Sequence, residues 1–555
     1  MSGDTGQSGG DQPQNNPPLN KGAGKKPSPR LLRSTAVVSS MTLLSRILGL
    51  VRDIVFARAF GASLVMDAFF VAFKIPNIFR RFFAEGAFSQ AFVPVFAEYD
   101  ETRSEEEVHR LINNVAGTLG VVLFVFTAIG VVAAPVIIAL FGAGWVTNPT
   151  PENTEKYDLA VDMLRFTFPY LFFISMTALA GGILNTYQRF AAPAFAPVLL
   201  NIVLITFAAF VAPYSSNPGI ILALGVFVAG LVQLLFMVPF LRGVGAIGMP
   251  RWGWHDEGVR KIVKLMLPAI FGSSVAQISI LVDTLIASFL VTGSISWLYF
   301  SDRLMEFPLG VFGIALATVI LPNLSRQFSS DSMDKFSRML DWALRLVALI
   351  ATPAAAGLFV LAGPALATIF YGGLFDANDV EMARLSLMAY SFGLVGFTLV
   401  KVLVPGYFAR QDTKTPVKVG LVAFVFNLVM NIVLVVPWVQ GGFAGPHTAL
   451  AIATSLGAFL NALLLFIGLR RAAVYKPEAG WGRLLLQIAV ATGLMVLLLK
   501  EFLPPLSAWL EAGLLTRCLW LLVAVAAGLA IYGSALLAMG IRPTQLRIKS
   551  DTHSL

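Results

Sequence analysis

The sequence is poor in charged residues and nearly devoid of cysteine. Charged residues make up 13% of its 555 residues, against roughly a quarter in soluble domains. The single cysteine, Cys518, excludes an intrachain disulfide and a Cys-x-x-Cys metal or redox site. Hydrophobic residues account for 57% of the chain. Because apolar runs of about 20 residues recur from end to end, we predict an all-α polytopic membrane protein.

A phosphate-binding loop for ATP is also missing. Gly24-Lys25 lacks both the upstream glycine and the following serine or threonine of that motif. We therefore expect a secondary transporter without a bound cofactor, and not an ATP-driven enzyme. The formal net charge of +9 comes from basic residues spread over short loops, without a patch interleaved with aromatics. This distribution argues against nucleic-acid binding.

Apolar runs between helix breakers predict 14 membrane-spanning helices. Their bounds are near 34–60, 63–84, 111–141, 158–184, 193–213, 219–241, 263–291, 296–324, 339–362, 383–408, 416–437, 446–469, 483–503 and 514–540. Lysine and arginine concentrate in the connections that follow even-numbered spans. Because cytoplasmic loops hold the excess of these residues, we predict that both termini are cytoplasmic.

Short internal matches relate the two halves of the chain. Val93-Pro94 corresponds to Leu321-Pro322, and Gln188-Arg189 corresponds to Gln411-Asp412. The common offset of about 225 residues covers an even number of spans, so the halves should share one orientation about an axis along the membrane normal. The predicted units are a disordered basic cytoplasmic arm (1–33), an N-lobe (34–242), a C-lobe (258–470), an appended helix pair (483–540) and a cytoplasmic tail (541–555).

A dense cluster of charges interrupts the first two apolar runs. It comprises Arg46, Arg52, Asp53, Arg58, Asp67, Lys74, Arg80, Arg81 and Glu85. A charge at the bilayer centre costs roughly 2.5 to 3.5 kcal/mol on insertion scales, so such residues persist where they face one another or a wet cavity. Pro76 should bend the second helix and free backbone groups that need the same environment. We therefore predict a water-filled cavity at these charges.

A second charged cluster, Asp302, Arg303 and Glu306, interrupts the eighth run beside Pro308. By the internal repeat it corresponds to the region of Lys74, so the two clusters should face each other across the lobe interface. Basic residues outnumber acidic ones among the candidates, and guanidinium groups suit two-pronged binding of phosphate. This excess predicts an anionic, phosphate-bearing substrate. In the alternative interpretation, Arg52-Asp53 and Asp302-Arg303 belong to ion pairs that lock the helices.

Asp283 stands alone in the middle of the seventh run. A buried carboxylate there could be protonated, hydrogen-bonded to neighbours such as Gln277, or a ligand of a cation. Asn427 and Asn431 on the eleventh span are its candidate partners. Asp283 is therefore the candidate site for a coupling ion, Na⁺ or H⁺, while the membrane potential stays open as the energy source.

Several motifs resemble the MurJ (MviN) lipid II flippases of the MOP exporter superfamily. They are Ser45-Arg46-Ile47-Leu48-Gly49 with Arg52-Asp53, Asp67-Ala68-Phe69-Phe70-Val71-Ala72-Phe73-Lys74, Pro76-Asn77, Arg80-Arg81, Ala84-Glu85-Gly86-Ala87-Phe88-Ser89-Gln90, Asp302-Arg303-Leu304-Met305-Glu306-Phe307-Pro308, and Gln411-Asp412-Thr413-Lys414-Thr415-Pro416. The resemblance extends from Ser34 to about residue 540. The long polar N-terminal arm is the one departure from the family's core pattern.

The resemblance implies a 14-helix protein of the bacterial inner membrane. Such a protein moves lipid II, the undecaprenyl-pyrophosphate-linked peptidoglycan precursor, from the cytoplasmic to the outer leaflet for cell-wall synthesis. The resemblance also implies that Arg46, Arg52, Asp67, Arg80 and Arg303 line a central cavity, in which the arginines bind pyrophosphate. The charges assigned to the cavity or its gating are then Asp53, Asp67, Lys74, Arg81, Glu85, Asp302 and Glu306. Lipid II and membrane lipids are the expected partners, and proteins of cell-wall synthesis or division are further candidates.

Alternating access between two lobes is the expected mechanism. One alternative is a cation-coupled drug exporter, or an exporter of another polyprenyl-linked glycan, from the same superfamily. A second is a membrane glycosyltransferase, which needs a sizeable outward loop with an acidic catalytic residue. The predicted outward connections are mostly very short, and the acidic stretch at 376–381 keeps this alternative open. A scaffold that recruits cell-wall enzymes, with purely structural charges, is a third.

Overall fold

The structure is a computed structural model that describes residues 29–82, 87–310, 314–329 and 332–542. The described residues form 21 α-helices and no strand, apart from one bridge between Gly372 and Phe375. The first ten helices are α1 (Pro29–Phe60), α2 (Leu64–Arg80), α3 (Ala87–Thr102), α4 (Glu105–Val132), α5 (Ala134–Phe141), α6 (Ala143–Thr147), α7 (Pro151–Thr167), α8 (Tyr170–Thr186), α9 (Ala191–Thr206) and α10 (Pro218–Arg242). The others are α11 (Glu257–Ala287), α12 (Ser294–Pro308), α13 (Ile314–Ser329), α14 (Met333–Val360), α15 (Ala362–Ile369), α16 (Ala377–Phe408), α17 (Lys414–Gln440), α18 (His447–Arg471), α19 (Trp481–Phe502), α20 (Leu506–Glu511) and α21 (Leu514–Ala538). The predicted all-helical class is confirmed.

Ten helical segments of the described chain are long and apolar enough to cross a membrane. They are Glu105–Val132, Pro151–Thr186, Ala191–Tyr214, Pro218–Arg242, Met333–Val360, Ala377–Phe408, Lys414–Gln440, His447–Arg471, Trp481–Phe502 and Leu514–Ala538. Each coincides with a predicted span. The predicted spans at 34–60, 63–84, 263–291 and 296–324 are not among the ten, and these four contribute the charged residues of the cavity described below. The total of 14 spans stays a prediction.

The starts of several helices follow from local capping chemistry. In α16, the side chain of Asp376 accepts a hydrogen bond from the backbone N–H of Asp379, and the carboxylate of Asp379 accepts one from the backbone N–H of Asp376. Such reciprocal capping satisfies backbone donors that have no partner within the helix. Gly293, at φ +93°, stands immediately before α12, in a conformation that residues with a Cβ rarely adopt. The start of α16 is thus fixed by its own sequence, and the start of α12 is marked by Gly293.

Two groups of helices pack mainly among themselves. Helices α1, α2 and α7–α10 form one group, and α12, α14 and α16–α18 form the other. The remaining long helix of this region, α11, packs against both α3 and α17, and α2 contacts α12 directly. The helices α19 and α21 pack on each other and on α14 and α15. The division into two lobes related by an axis along the membrane normal stays a prediction.

Three of the predicted features lie partly or wholly outside the described residues. The N-terminal arm was predicted to reach residue 33, whereas α1 already begins at Pro29 and residues 1–28 are not described. Glu85 and its neighbours at 83–86 are also outside the described residues. Of the predicted tail at 541–555, only residues 541 and 542 are described.

Candidate functional site

A cavity of about 920 Å³ lies between the two groups of helices. Its walls come from α1, α2, α3, α8–α12, α16 and α18. Nine of the predicted site residues line it, six basic and three acidic: Arg46, Arg52, Lys74, Arg80, Arg81, Asp283, Asp302, Arg303 and Glu306. The charges that lie far apart in the sequence are therefore brought together, with the basic excess expected from the sequence.

Two of the cavity arginines share one buried carboxylate. Asp53 is fully buried behind the cavity wall. Its Oδ1 accepts hydrogen bonds from Arg52 Nη2 at 2.7 Å and Arg52 Nε at 3.0 Å, while its Oδ2 accepts one from Arg303 Nε at 2.7 Å. This network joins α1 to α12. Asp53 is shared by both guanidinium groups, and Arg303 has a second acidic partner in Glu306.

Neutral polar groups complete the surroundings of Arg52. Its Nη1 donates to Asn201 Oδ1 at 3.2 Å and its Nη2 to the hydroxyl of Tyr299 at 3.0 Å. The Tyr299 ring stacks on Phe70 of α2, with centroids 3.9 Å apart. Sequence reasoning missed Asn201 and Tyr299. The signal for Asn201 was available, because an amide in the apolar span of α9 needs a partner.

Three of the four residues in the ion-pair interpretation, Arg52, Asp53 and Arg303, form ion pairs in the described structure. Arg52 and Asp53 do form a salt bridge. Arg303, however, pairs with Asp53 and with Glu306, whose Oε2 lies 3.3 Å from Arg303 Nη1. Asp302 interacts electrostatically with Lys74 and Arg81 as well as with its neighbour Arg303. The arginines are therefore anchored by acids and still line open space.

Glycine on α1 leaves room for Arg303. A Cβ added at Gly49 would stand 2.8 Å from Arg303 Nη2, a distance that real Cβ atoms essentially never show. At the far end of α12, a Cβ at Gly310 would lie 2.6 Å from Arg46 Nη1. Both guanidinium groups thus lie against bare backbone, an approach that only glycine permits.

One end of the cavity is exposed and the other is closed. Arg46, Arg81 and Glu306 are exposed, whereas Arg52, deeper along α1, is buried. At the exposed end, Arg81 Nη1 donates to Gln277 Oε1 of α11 at 3.1 Å, and Arg80 Nε donates to Asn77 Oδ1 at 2.8 Å. Arg46 has no hydrogen-bond or ion-pair partner in the described part of the chain. The exposed end therefore presents cationic groups to an entering molecule.

Asp67 lies at the closed end and does not line the cavity, contrary to the expectation from the family resemblance. Its Oδ2 accepts from the backbone N–H of Gly293 at 2.7 Å, and its Oδ1 accepts from the N–H and the hydroxyl of Ser296 at 3.0 and 2.6 Å. The carboxylate thereby caps α12 from another helix, where the helix dipole favours negative charge. Asp53 also lies outside the cavity lining, because it is enclosed by its own donors.

A second carboxylate, which sequence reasoning did not select for this role, reinforces the closed end. Asp379 Oδ2 accepts from the backbone N–H of Ala62, in the turn between α1 and α2, at 3.1 Å. Its Oδ1 accepts from Trp297 Nε1 of α12 at 2.8 Å. The backbone N–H of Leu374 also donates to Arg58 O at 2.9 Å. The turn, α12 and α16 are therefore held together.

Asp283 belongs to a hydrogen-bonded chain of polar side chains whose oxygen atoms are candidate ligands for a cation. Asn431 Nδ2 donates to Asp283 Oδ1 at 2.8 Å and to Asn427 Oδ1 at 3.2 Å. Asn431 is fully buried, and its Oδ1 has no hydrogen-bond partner in the described structure. Asn427 Nδ2 donates to Thr454 Oγ1 at 3.4 Å. A carboxylate, two amide oxygens and a hydroxyl are ligands that a hard cation accepts.

Lys74 connects this group to the cavity. Its Nζ donates to Thr284 Oγ1 at 2.8 Å, one residue after Asp283. Asp283 and Asp302 are the acids with which Lys74 interacts electrostatically. Lys74 on α2 therefore places a basic side chain between the carboxylates of Asp283 on α11 and Asp302 on α12.

Comparison with protein families and curated proteins gives one consistent result. The family model described as "Lipid II flippase MurJ" matches residues 56–515. A Vibrio cholerae protein named "Probable lipid II flippase MurJ" is 48% identical over 527 residues, covering 94% of this chain and 99% of that protein. A Burkholderia cenocepacia protein named "Lipid II flippase MurJ" is 42% identical, covering 84% of this chain and 89% of that protein.

Comparison with solved structures agrees. A structure titled "Lipid II flippase MurJ, inward closed conformation" superimposes with a TM-score of 0.73 at 26% identity, covering 90% of this chain and 98% of that one. An inward-facing multidrug transporter of the MATE family, from the MOP superfamily, superimposes with a TM-score of 0.62 at 16% identity, covering 79% of this chain and 98% of that one. The second likeness concerns the fold alone.

Proposed function

The chain belongs to the lipid II flippase MurJ family, and we propose that its cavity carries the pyrophosphate headgroup of lipid II across the membrane. The protein is a multi-pass inner-membrane transporter that flips lipid II, and not a catalytic enzyme. The observation that supports the proposed route is the shared carboxylate of Asp53. It fixes the guanidinium groups of Arg52 and Arg303 beside a cavity whose lining holds six basic and three acidic residues.

Arg52 and Arg303 form the inner part of the proposed anion site. Both have nitrogen atoms at the cavity wall, and their orientation is fixed before the substrate arrives. Preorganised guanidinium groups bind phosphate oxygens with little further loss of side-chain entropy. Arg46 and Arg80 form the outer part, at the exposed end, where Arg46 meets the headgroup first. The polyprenyl tail stays in the lipid.

The proposed topology has 14 spans in two lobes, with both termini in the cytoplasm. On that topology the exposed end of the cavity, at Arg46 and Arg81, faces the cytoplasm, and the end closed by Asp67 and Asp379 faces outward. The conformation then corresponds to an inward-open state. Alternating access requires the hydrogen bonds at the closed end to break while a new closure forms at the exposed end.

The proposed energy source includes a cation bound at Asp283. Support comes from the buried Asn431, whose Nδ2 donates to the Asp283 carboxylate and whose Oδ1 has no donor in the described structure. Na⁺ fits a set of carboxylate and amide oxygens, and protonation of Asp283 is the alternative. The membrane potential acts on the same charges, at up to about 2.3 kcal/mol per elementary charge per 100 mV.

The test is flux of lipid II in proteoliposomes that contain equal amounts of each variant. We expect Arg46→Ala, Arg52→Ala and Arg303→Ala to reduce initial rates at least tenfold, since each loses a charge-assisted contact to the headgroup. Arg165→Ala is the matched control, because Arg165 pairs with Asp162 outside the cavity and both side chains are about half exposed. Wild-type flux in all three cavity variants would refute the proposed site.

A further inference from the structure

A second cavity, independent of the transport site, lies where α19 and α21 meet α14. Its volume is about 280 Å³. Its lining residues are Trp342, Arg345, Leu346, Leu349, Gly480, Arg483, Leu484, Gln487, Gly540 and Ile541. We propose that this cavity binds the phosphate headgroup of an anionic phospholipid. The residues that carry the proposal are Arg345 and Arg483.

Arg345 is held rigidly at the inner wall. Its Nε donates to Asp341 Oδ2 at 2.6 Å, and its Nη2 donates to the carbonyl oxygens of Glu478 and Ala479 at 3.2 and 2.9 Å. Its guanidinium also lies over the ring of Trp481. No hydrogen bond in the described structure uses its Nη1, which would lie 3.9 Å from a Cβ added at Gly480 of the cavity lining. That nitrogen is the donor left for a ligand.

Asp341 is too fully engaged to repel an anion strongly. It is buried, and its Oδ1 accepts from Tyr475 Oη at 2.7 Å, Trp481 Nε1 at 2.8 Å and the backbone N–H of Glu478 at 3.2 Å. Arg483 is exposed and has no partner among the described residues. Two guanidinium groups against one carboxylate leave one positive charge, which matches the single negative charge of a phosphodiester.

The position of the cavity favours a lipid over a soluble phosphate. It lies at the first turns of α19 and just past the end of α21, beside the middle of α14, and all three helices are apolar and long enough to cross a membrane. Leucines at 346, 349 and 484 form its apolar part. Leu485 and Leu486 next to it are exposed, as expected of a surface that meets acyl chains. Basic pockets between helices at the headgroup level are typical phospholipid sites.

The experiment counts lipids that remain bound to the purified full-length protein by native mass spectrometry. The probes are phosphatidylglycerol and phosphatidylcholine at equal concentrations. We expect phosphatidylglycerol to be retained preferentially, and Arg483→Gln to weaken its binding roughly tenfold through loss of one charge-assisted hydrogen bond. Arg471→Gln is the control, since Arg471 is equally exposed at the end of α18 and lies outside the cavity.

Two further measurements distinguish a loss of lipid binding from a loss of folding. The melting temperature of the Arg483→Gln protein in phosphatidylcholine should equal that of the wild type, which shows that the fold is intact. Arg483→Glu should abolish the preference for phosphatidylglycerol. Equal retention of the two lipids by the wild type, unchanged retention in Arg483→Gln, or displacement of the lipid by inorganic phosphate at an equal concentration would overturn the proposal.

Discussion

Asp67 of α2 and Ser296 of α12 are joined by two hydrogen bonds to one carboxylate oxygen, from the backbone N–H at 3.0 Å and the hydroxyl at 2.6 Å. The two residues are 229 positions apart in the sequence. Their contact ties the second helix of the first group to the first turn of a helix in the second group. It therefore stabilises the conformation in which this end of the cavity is closed.

Replacing Asp67 by asparagine should loosen the closed end. The amide keeps only one acceptor oxygen and loses the charge that favours the N-terminus of α12, an effect of about 1 to 3 kcal/mol. Ser294 is fully buried there and has no hydrogen-bond partner for its hydroxyl in the described structure. In a Cys518→Ser background, Ser294→Cys should react several-fold faster with an impermeant thiol reagent when Asp67→Asn is added.

The control for that measurement is Asp162→Asn, a change at an exposed carboxylate on α7 that pairs with Arg165. It should leave the labelling rate of Ser294→Cys unchanged. Equal labelling with and without Asp67→Asn would show that Asp67 does not hold this end closed.

Asp53 should be energetically coupled to Arg303. Asp53→Asn leaves the charge of buried Arg52 without an ion-pair partner and that of Arg303 with Glu306 alone, so we expect the free energy of unfolding to fall by about 3 kcal/mol. Because Arg303→Gln removes one of those charges, the double variant should be more stable than the sum of the single effects predicts, by about 1 to 3 kcal/mol. Denaturant titration in mixed micelles measures the cycle. Strict additivity would contradict the shared network.

Gly49→Ala should lower flux without lowering stability. The added Cβ would displace the Arg303 guanidinium, whose Nη2 lies 2.8 Å from that position. The matched control is Gly120→Ala on α4, where a Cβ meets nothing within 4 Å. Alanine is favoured over glycine inside a helix by roughly 0.5 to 1 kcal/mol, so the control should be neutral or slightly stabilising. Equal initial flux of the two variants would show that the position of Arg303 is not critical.

Lys74→Met should disconnect the proposed cation site from the headgroup site. On the proposed mechanism, a cation bound at Asp283 would replace the charge that Lys74 supplies, and the freed ammonium would pair with pyrophosphate. Na⁺ should therefore raise the affinity for a soluble lipid II analogue. By linkage, the bound analogue should raise the affinity for Na⁺ by the same factor. Isothermal titration at two Na⁺ concentrations measures this linkage, which the variant should lose. Asn114→Ala, remote from the cavity, should retain it.

The existence of the cavity was predictable from the sequence because charges in apolar segments have few stable environments. Arg52 and Arg303 were identified on that ground, and both line the cavity. The role of Asp67 was not predictable in this way. Helical periodicity assigns a residue to a face of its own helix, but it carries no information about which distant backbone that face meets. The donors to Asp67 come from Gly293 and Ser296.

The predicted spans show the same contrast between features that composition reveals and features that depend on the tertiary structure. Strongly apolar segments such as Lys414–Gln440 were identified by composition and agree with the structure. The segments at 34–60 and 296–324 were identified as spans despite their charges, and they are two of the four predicted spans that are not among the ten. In the second of them the described helices are short, because α12 has 15 residues and α13 has 16. Long apolar helices are therefore easier to delimit from composition than the shorter helices that carry cavity charges.

Main-chain N–H groups of Ala62 and Gly293 supply much of the closure at the end of the cavity. A donor of this kind belongs to every amino acid except proline. A substitution at position 62 by any residue except proline can therefore change the side chain and keep the hydrogen bond from the backbone N–H to Asp379. Proline substitutions across that turn remove backbone N–H groups, which alanine substitutions do not. They would therefore show which of these groups hold this end of the cavity closed.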